Sequence, residues 1–337
     1  MAGPSTREGS PRGRASAGTS GAVTGIPAIV VLLALGLILR FIIAYVLLPG
    51  SGFPTDLGAF QYWGNDIAHN GPVGFYARTG FVDYPPVYLL LLSVVSLLTG
   101  GSIGEGVKLL PILADLGLAA LVWRMARDLG VNSRRAFIAA LIILVNPVTW
   151  FNSSVWGQAD AVGSVFLLLG LRELQKDHRE AASVWAVVAT LTKLQLGILG
   201  FVVGFVVLRR SLAPKTGAPE PERILTSVGA GLATGALICL PFTGLDLMGA
   251  AGRLGSVPGQ VTLAVGLAAG LGVFSLGRRY LPIVESARRT QASILLGLGT
   301  VVASSGMVFD AIVNHVVSSF GEYPDLTVNA YNPWALV

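Results

Sequence analysis

A carboxylate lies among aromatic side chains directly after the first long apolar run of the sequence, residues 26–48. The segment 53–63 reads FPTDLGAFQYW and brings Asp56 into one short stretch with Tyr62 and Trp63. Acidic and aromatic side chains kept together beside a membrane-spanning run indicate a site rather than a connector. The alternative is an N-cap aspartate that opens an interfacial helix, with the aromatic residues in the membrane surface. Both interpretations can hold together.

A second acidic residue precedes two prolines in the sequence DYPP, residues 83–86. Consecutive prolines restrict the backbone and end any preceding helix, so this segment predicts a rigid corner. Asp83 could there bind a substrate hydroxyl or orient Asp56. The alternative is a structural turn that holds the loop against the bilayer.

Three residues suited to sugar recognition, Trp156, Gln158 and Asp160, lie within NSSVWGQAD, residues 152–160. An indole ring can cover the apolar face of a sugar, while an amide and a carboxylate bind its hydroxyls. The segment ends one apolar run and begins the next. Helix capping by Asp160 and an interfacial Trp156 are the structural alternative.

Lys193 interrupts the apolar stretch 182–208. A lysine at membrane depth costs about 2.5–3.5 kcal/mol on insertion scales, so it normally has a partner and often a function. We expect Lys193 to lie between two short helices, to face a cavity and to bind a phosphate, with snorkelling to the surface as the alternative. Arg40, late in the first run, could snorkel outward or hold a lipid phosphate. Lys108 and Asp115 fall seven residues apart in the predicted second span and could each be interior.

Aromatic, amide and acidic side chains recur in the segment 320–334. It contains Asn329, Tyr331 and Asn332. This composition is typical of a carbohydrate-facing loop or lid, and equally of an ordinary interfacial loop.

The composition indicates an all-α polytopic membrane protein. Hydrophobic residues make up 53% of the 337 residues and charged residues 12%, with a mean hydropathy of +0.70. A soluble domain is about 25% charged. Apolar runs recur along the chain and predict about nine transmembrane helices. They lie at 26–48, 107–123, 136–151, 161–174, 182–192 with 196–208, 224–241, 259–277 and 291–309. Because there is one cysteine and the three histidines show no ligand spacing, we expect no disulfide within the chain, no metal and no cofactor.

The positions of the basic residues predict the topology of the helices. Most of the 23 lysines and arginines lie in five segments that the positive-inside rule assigns to the cytoplasm, so the net charge of +5 does not indicate nucleic-acid binding. These segments are the Gly/Ser/Pro-rich tail 1–25, which we expect to be disordered, and the loops 124–135, 172–179, 209–223 and 278–289.

If the run 87–99 crossed the membrane, the basic loops that follow it would fall on the extracytoplasmic side. The positive-inside rule therefore requires that this short apolar run does not cross the membrane. Residues 49–106 then form one large extracytoplasmic loop that contains interfacial or re-entrant helices. Residues 310–337 form a second such loop, and 26–337 a single transmembrane domain. A topology reporter fused after Gly101 is therefore expected to give an extracytoplasmic signal, and a cytoplasmic signal there would contradict this topology.

The ordered set of polar segments resembles the GT-C superfamily of integral-membrane glycosyltransferases. Within it, the bacterial mannosyltransferases that use polyprenyl-phosphate mannose are the most similar. The resemblance covers residues 30–210 and 318–336, and it rests on the segments 55–63, 83–86, 152–160, 193–195 and 326–332. Lys193-Leu194-Gln195 stands where the family usually has Lys-Pro-Gln. Family members usually continue for several more helices, so we expect this chain to be truncated at its C-terminus.

The resemblance implies a GT-C-like bundle at the cell membrane and metal-independent, inverting transfer of a hexose, with mannose as the expected sugar. The donor would be a polyprenyl-phosphate sugar and the acceptor an extracytoplasmic glycan, lipid or protein. Asp56 would be the general base, with Asp83 as the second catalytic residue. Lys193 and Arg40 would bind the donor phosphate, and the substrate-binding residues would be Trp156, Gln158, Asp160, Tyr62, Trp63, Asn329, Tyr331 and Asn332.

A polytopic transporter or flippase for a lipid-linked or anionic substrate is the alternative class. Lys193, Asp115 and Lys108 would then line a path through the membrane. Transporters often consist of two matching halves, and the sequence shows no such internal repeat.

Overall fold

A computed structural model of the chain describes residues 26–214 and 217–243, together with scattered residues between 252 and 299. All regular secondary structure in this part of the chain is helical. Its α-helices are α1 (Ile26–Phe41), α2 (Pro54–Asn70), α3 (Phe75–Arg78), α4 (Pro86–Leu98), α5 (Leu109–Asp128), α6 (Ser133–Val145), α7 (Pro147–Trp150), α8 (Asp160–Gln175), α9 (Arg179–Thr190), α10 (Ile198–Leu212) and α11 (Glu222–Thr243). The predicted tail 1–25 and the loop 310–337 lie outside the described residues.

Short helical turns of other types join several of these helices. One π-helical turn, Ile42–Leu47, continues α1, and a second, Phe151–Trp156, follows α7. We call Phe151–Trp156 the π-turn. The 3₁₀ turns Gly104–Lys108 and Leu194–Gly197 precede α5 and α10. Single π-helical turns are frequent at functional sites, and the π-turn contributes to the site described below.

Four helices of the described chain are long and apolar enough to cross a membrane: Pro27–Leu47, Gly104–Asp128, Leu194–Leu212 and Glu222–Phe242. The pair Ser133–Val145 and Pro147–Trp156, bent by 45°, forms a fifth if it counts as one span. These apolar helices indicate a membrane protein.

The predicted count of about nine spans is matched only in part. The predicted spans 161–174 and 182–192 form α8 and α9, which have 16 and 12 residues, fewer than the roughly 20 that an untilted span needs. The predicted spans 259–277 and 291–309 fall largely outside the described residues.

The predicted loop 49–106 folds into helices that pack on one another. The apolar run 87–99 forms most of α4, a helix of 13 residues that begins directly after the corner at Pro85. Helix α4 packs against α2, and Gly64 allows the close approach, because a Cβ there would lie 3.2 Å from the Leu92 carbonyl oxygen. Aromatic side chains fill the interface, among them Trp63, which is 2% exposed.

The stretch that contains Lys193 is broken, as predicted from the sequence. Helix α9 ends at Thr190, Lys193 has an extended backbone with φ −155° and ψ 125°, and the chain turns into α10. Helix α9 packs against α8, α10 and α11. The break therefore lies at one end of this helical group.

An ion-pair cluster lies at the opposite end of α9. Arg223 donates to both Glu180 carboxylate oxygens, at 3.2 and 2.8 Å, and Thr226 donates to Glu180 at 2.7 Å. Arg223 also contacts Asp177, which accepts from Arg179 as well. Burial alone would raise the pKa of Glu180, but the bonds from Arg223 and Thr226 outweigh it and lower the pKa to about 2. The cluster connects α9 to α11.

The lowered pKa of Glu180 predicts acid sensitivity. Stability from the charged carboxylate is present above its ordinary pKa of 4.5 and is lost as the pH falls from there toward about 2. Thermal unfolding in detergent, followed against pH, should therefore show a steeper loss of melting temperature for the wild type than for Glu180→Gln in this range. Parallel curves for the two proteins would contradict this role of Glu180.

Candidate functional site

The Asp56 carboxylate is held by two side-chain donors from a distant part of the chain. Its Oδ2 accepts from Trp156 Nε1 at 2.9 Å and from Gln158 Nε2 at 2.5 Å. Asp56 lies in the first turn of α2, where the helix dipole favours a negative charge. The N-cap is Phe53, so the interpretation of Asp56 as an N-cap residue is wrong. Trp156 and Gln158 meet Asp56, as expected if these segments form one site.

Gln158 also bonds to Tyr84, which connects it to the DYPP corner. The Tyr84 hydroxyl donates to Gln158 Oε1 at 3.2 Å, while the other end of the same amide faces Asp56. The Tyr84 ring is 7% exposed and packs edge-on against Phe60, with ring centroids 5.2 Å apart. Sequence reasoning named Asp83 in this corner and missed Tyr84. The available signal was its position directly before a double proline, which fixes the backbone of the residues around it.

Lys193 forms an ion pair with Asp160. Its Nζ lies 2.5 Å from Asp160 Oδ1 and 5.9 Å from the centroid of the Tyr84 ring. Asn152, in the π-turn, donates to Asp160 Oδ2 at 3.2 Å. The Lys193 side chain is 22% exposed and that of Asp160 is 50% exposed, so this pair borders the solvent-accessible surface. The N-cap of α8 is Ala159, so Asp160 does not cap that helix as the structural alternative predicts.

Three carboxylates lie near enough to the Tyr84 phenol to influence it electrostatically. Burial raises its pKa most, and the neighbouring Tyr88, Asp160, Asp83 and Asp56 raise it further. Asp83 is partly buried and lies near enough to influence this phenol. The residues singled out in the segments 53–63, 83–86, 152–160 and 193–195 therefore lie around one tyrosine. We call Asp56, Tyr84, Gln158, Asp160, Lys193 and their partners Trp156 and Asn152 the Asp56 cluster.

Arg40 lies in a separate, fully buried ion pair. Its Nε donates to Asp115 Oδ2 at 2.8 Å, and the two side chains are 0% and 1% exposed. Ser153, in the π-turn, donates to the same Asp115 oxygen at 2.7 Å. Arg40 is thus placed against Asp115 and not at the Lys193 ammonium. Lys108 is also buried, and its Nζ lies 2.9 Å from Glu105, so both Lys108 and Asp115 are interior as expected.

The remaining candidates lie in different surroundings. Tyr62 is 54% exposed on α2, whereas Trp63 belongs to the packed interface with α4. Asn329, Tyr331 and Asn332 lie outside the described residues. Within the part of the chain that the structure describes, no group of three or more histidine, cysteine or acidic side chains is arranged to hold a metal ion.

One cavity adjoins the Asp56 cluster, and a second lies between the helices that flank the break at Lys193. A cleft of about 360 Å³ is lined by α7 and the π-turn, including Asn152 and Trp156. A larger, apolar cavity of about 520 Å³ lies between α9, α10 and α11 and begins at Thr190 and Leu191, close in sequence to Lys193. Leu191, which lines this cavity, lies two residues before Lys193 in the chain.

No protein-family model matches the chain, and neither a curated protein nor a solved structure matches it.

Proposed function

We propose that the chain is a membrane glycosyltransferase that moves a hexose from a polyprenyl phosphate to an extracytoplasmic glycan, lipid or protein acceptor. The observation that carries this proposal is the Asp56 cluster. It combines a carboxylate, an indole and an amide of the kind that bind sugars, and a lysine two residues after Leu191, which lines an apolar cavity. The resemblance to GT-C enzymes supports the same assignment, and mannose as the sugar rests on that resemblance alone.

Asp56 is the general base of the proposed reaction. Trp156 and Gln158 both donate to Oδ2, and among the described residues Oδ1 accepts no hydrogen bond from the protein. Oδ1 can therefore accept the proton of an acceptor hydroxyl while that oxygen attacks the anomeric carbon. The bond between the anomeric carbon and the phosphate oxygen breaks, and polyprenyl phosphate leaves with the electron pair. One carboxylate suffices for this single displacement, which inverts the anomeric centre.

Lys193 stabilises the leaving phosphate. A fixed cation at the position where negative charge develops is one of the strongest contributions to such a reaction. Lys193 is bound to Asp160 in this structure, so the donor phosphate competes with that carboxylate for the ammonium. Asp160 and Asn152 then face the sugar, together with the Trp156 indole.

The isoprenoid chain of the donor occupies the apolar cavity between α9, α10 and α11. Its lining consists mainly of small and aliphatic side chains, for example Ala186, Val203 and Gly231. Burial of an isoprenoid chain there contributes about 25 cal/mol for each Å² of apolar surface removed from water. The phosphate at Lys193 and the chain beside α9 thus account for both ends of an amphiphilic donor.

Competition between the donor phosphate and Asp160 predicts opposite effects of two substitutions. Lys193→Gln should weaken binding of farnesyl phosphate to the purified chain by about tenfold to a hundredfold, because hydrogen bonds to charged groups contribute about 1.5–3 kcal/mol. Asp160→Asn should strengthen it by about twofold to fivefold, because exposed ion pairs are worth up to about 1 kcal/mol. Isothermal titration in detergent micelles measures both.

Lys176→Gln is the matched control, because Lys176 lies at the end of α8 remote from Lys193, where its Nζ is 4.0 Å from Asp128. Farnesol and inorganic phosphate separate the contributions of the chain and of the anion. Equal affinity of the wild type and Lys193→Gln for farnesyl phosphate would remove Lys193 from the proposed role.

A polytopic transporter or flippase is the second candidate, because charges at membrane depth often line a transport path. The buried Arg40–Asp115 pair is the observation that favours it. The two charges nevertheless neutralise one another and are at most 1% exposed, so they line no accessible path in this structure. The glycosyltransferase assignment accounts for the Asp56 cluster, which a transporter does not require.

A further inference from the structure

Tyr84 is the one residue of the Asp56 cluster that contacts both the Gln158 amide and the Lys193 ammonium. Its hydroxyl lies 3.2 Å from Gln158 Oε1, and its ring centroid lies 5.9 Å from Lys193 Nζ. Gln158 in turn bonds to Asp56. The Tyr84 side chain therefore connects the proposed general base, Asp56, through its hydroxyl and Gln158, with the proposed phosphate-binding cation, Lys193, through its ring.

The ring of Tyr84 is held rigidly. It is 7% exposed and packs against Phe60, Trp63 and Tyr88, with centroid distances of 5.2, 5.9 and 5.3 Å. The backbone of the residue is fixed by the two prolines that follow it, since Pro85 precedes α4 as its N-cap. A side chain fixed in this way can set the position of the groups it touches.

The hydroxyl of Tyr84 holds the oxygen end of the Gln158 amide while the nitrogen end faces Asp56. The Asp56 carboxylate only accepts hydrogen bonds, so the amide presents Nε2 to it, and the phenol donates to Oε1. If the amide were reversed, its oxygen would face a carboxylate oxygen, and the two acceptors would repel. The phenol donor thus maintains one of the two hydrogen bonds that orient Asp56.

The ring face of Tyr84 helps to hold the ammonium of Lys193. At 5.9 Å the ammonium is within the range of a cation–π contact, which contributes about 0.5–1 kcal/mol at partly exposed sites. This contact depends on the ring and not on the hydroxyl. The two functions of the side chain can therefore be separated by substitution.

We infer that Tyr84 is a positioning residue that sets the orientation of the Asp56 base through the Gln158 amide and the location of the Lys193 cation through its ring face. This inference rests on the proposed glycosyltransferase function. It adds a residue that acts on both halves of the site without touching the reacting atoms.

Tyr84→Phe keeps the ring and removes the hydroxyl, so only the base should be affected. With membranes that contain the full chain and labelled polyprenyl-phosphate mannose, we expect kcat for transfer to fall by about tenfold to a hundredfold, since small misplacements of reacting groups have effects of this size. The affinity for farnesyl phosphate should stay within about twofold of the wild type, because the cation–π contact remains. Tyr84→Leu should lower both kcat and this affinity.

A double-substitution cycle tests the route of the effect. In a Gln158→Ala background, Tyr84→Phe should cause no further loss of kcat, because the amide that the hydroxyl orients is absent. Tyr45→Phe is the matched control, since the Tyr45 hydroxyl donates to the Glu105 carbonyl and takes no part in the Asp56 cluster.

The outcomes separate the two claims. If the wild type transfers mannose and Tyr84→Phe has the same kcat, the positioning role is overturned and the proposed function stands. The same holds if Tyr84→Phe lowers kcat equally in the wild-type and Gln158→Ala backgrounds. A wild type that transfers no mannose from this donor would overturn the proposed function, and the positioning role with it.

Discussion

Replacing Asp56 with asparagine should reduce mannosyl transfer by about 10²–10⁴-fold, the usual contribution of a general base. Asparagine has nearly the same size as aspartate and can still accept a hydrogen bond from Trp156, so the local packing is retained. It cannot take the proton of the acceptor hydroxyl. Transfer from labelled polyprenyl-phosphate mannose in membranes measures the loss, while expression and melting temperature should remain close to those of the wild type.

Asp66→Asn is the matched control for this substitution. Asp66 lies on the same helix, α2, but pairs with Arg78 at 2.8 Å and has no contact with the Asp56 cluster. We expect Asp66→Asn to transfer mannose at nearly the wild-type rate. If Asp56→Asn retained turnover comparable to this control, Asp56 would have no role as the base.

Replacing Asp115 with alanine should lower the free energy of unfolding by about 3–5 kcal/mol, the range measured when one partner of a buried ion pair is removed. The Arg40 guanidinium, which is 0% exposed in the structure, would lose its counter-ion, and Ser153 would lose its hydrogen bond to Asp115. Reversible unfolding in mixed micelles with increasing SDS measures this free energy. Because Ser153 belongs to the π-turn with Asn152 and Trp156, activity should fall as well.

The double substitution Arg40→Met with Asp115→Leu separates the loss of a charge partner from the loss of packing. Replacing both charges by apolar side chains of similar volume is often neutral, so most of the lost stability should return. A single Asp115→Ala variant as stable as the wild type would show that the Arg40–Asp115 pair does not stabilise the bundle. Failure of the double variant to recover stability would show that packing, and not charge, dominates.

Local sequence patterns predicted the local structure of the site well. The double proline predicted a rigid corner, which stands directly before α4, and the lysine within an apolar stretch predicted the break before α10. Both follow from effects within a few residues, namely the restricted backbone of proline and the cost of a charge in an apolar environment. The grouping of Asp56, Trp156 and Gln158 was expected from the resemblance and is present in the structure.

Pairings between distant residues could not be predicted in the same way. Arg40 and Asp115 are 75 residues apart, and hydropathy does not tell which faces of two apolar helices meet. From the sequence, Arg40 was therefore predicted to bind a phosphate. Likewise, Asp160 was assigned to a sugar and Lys193 to a phosphate, whereas the structure pairs them at 2.5 Å. Tyr84 escaped notice because an aromatic residue beside prolines is equally typical of a packed corner.

The most direct measurement of the central claim is the fate of labelled mannose on its polyprenyl phosphate carrier. Membranes that contain the chain are incubated with polyprenyl phosphate that carries labelled mannose. If the chain is a glycosyltransferase, the label appears in an extracytoplasmic product while polyprenyl phosphate is released, and Asp56→Asn and Lys193→Gln both suppress this product. Label that crosses the membrane still attached to its carrier, with no transfer to any acceptor, would contradict the glycosyltransferase function and favour a transporter.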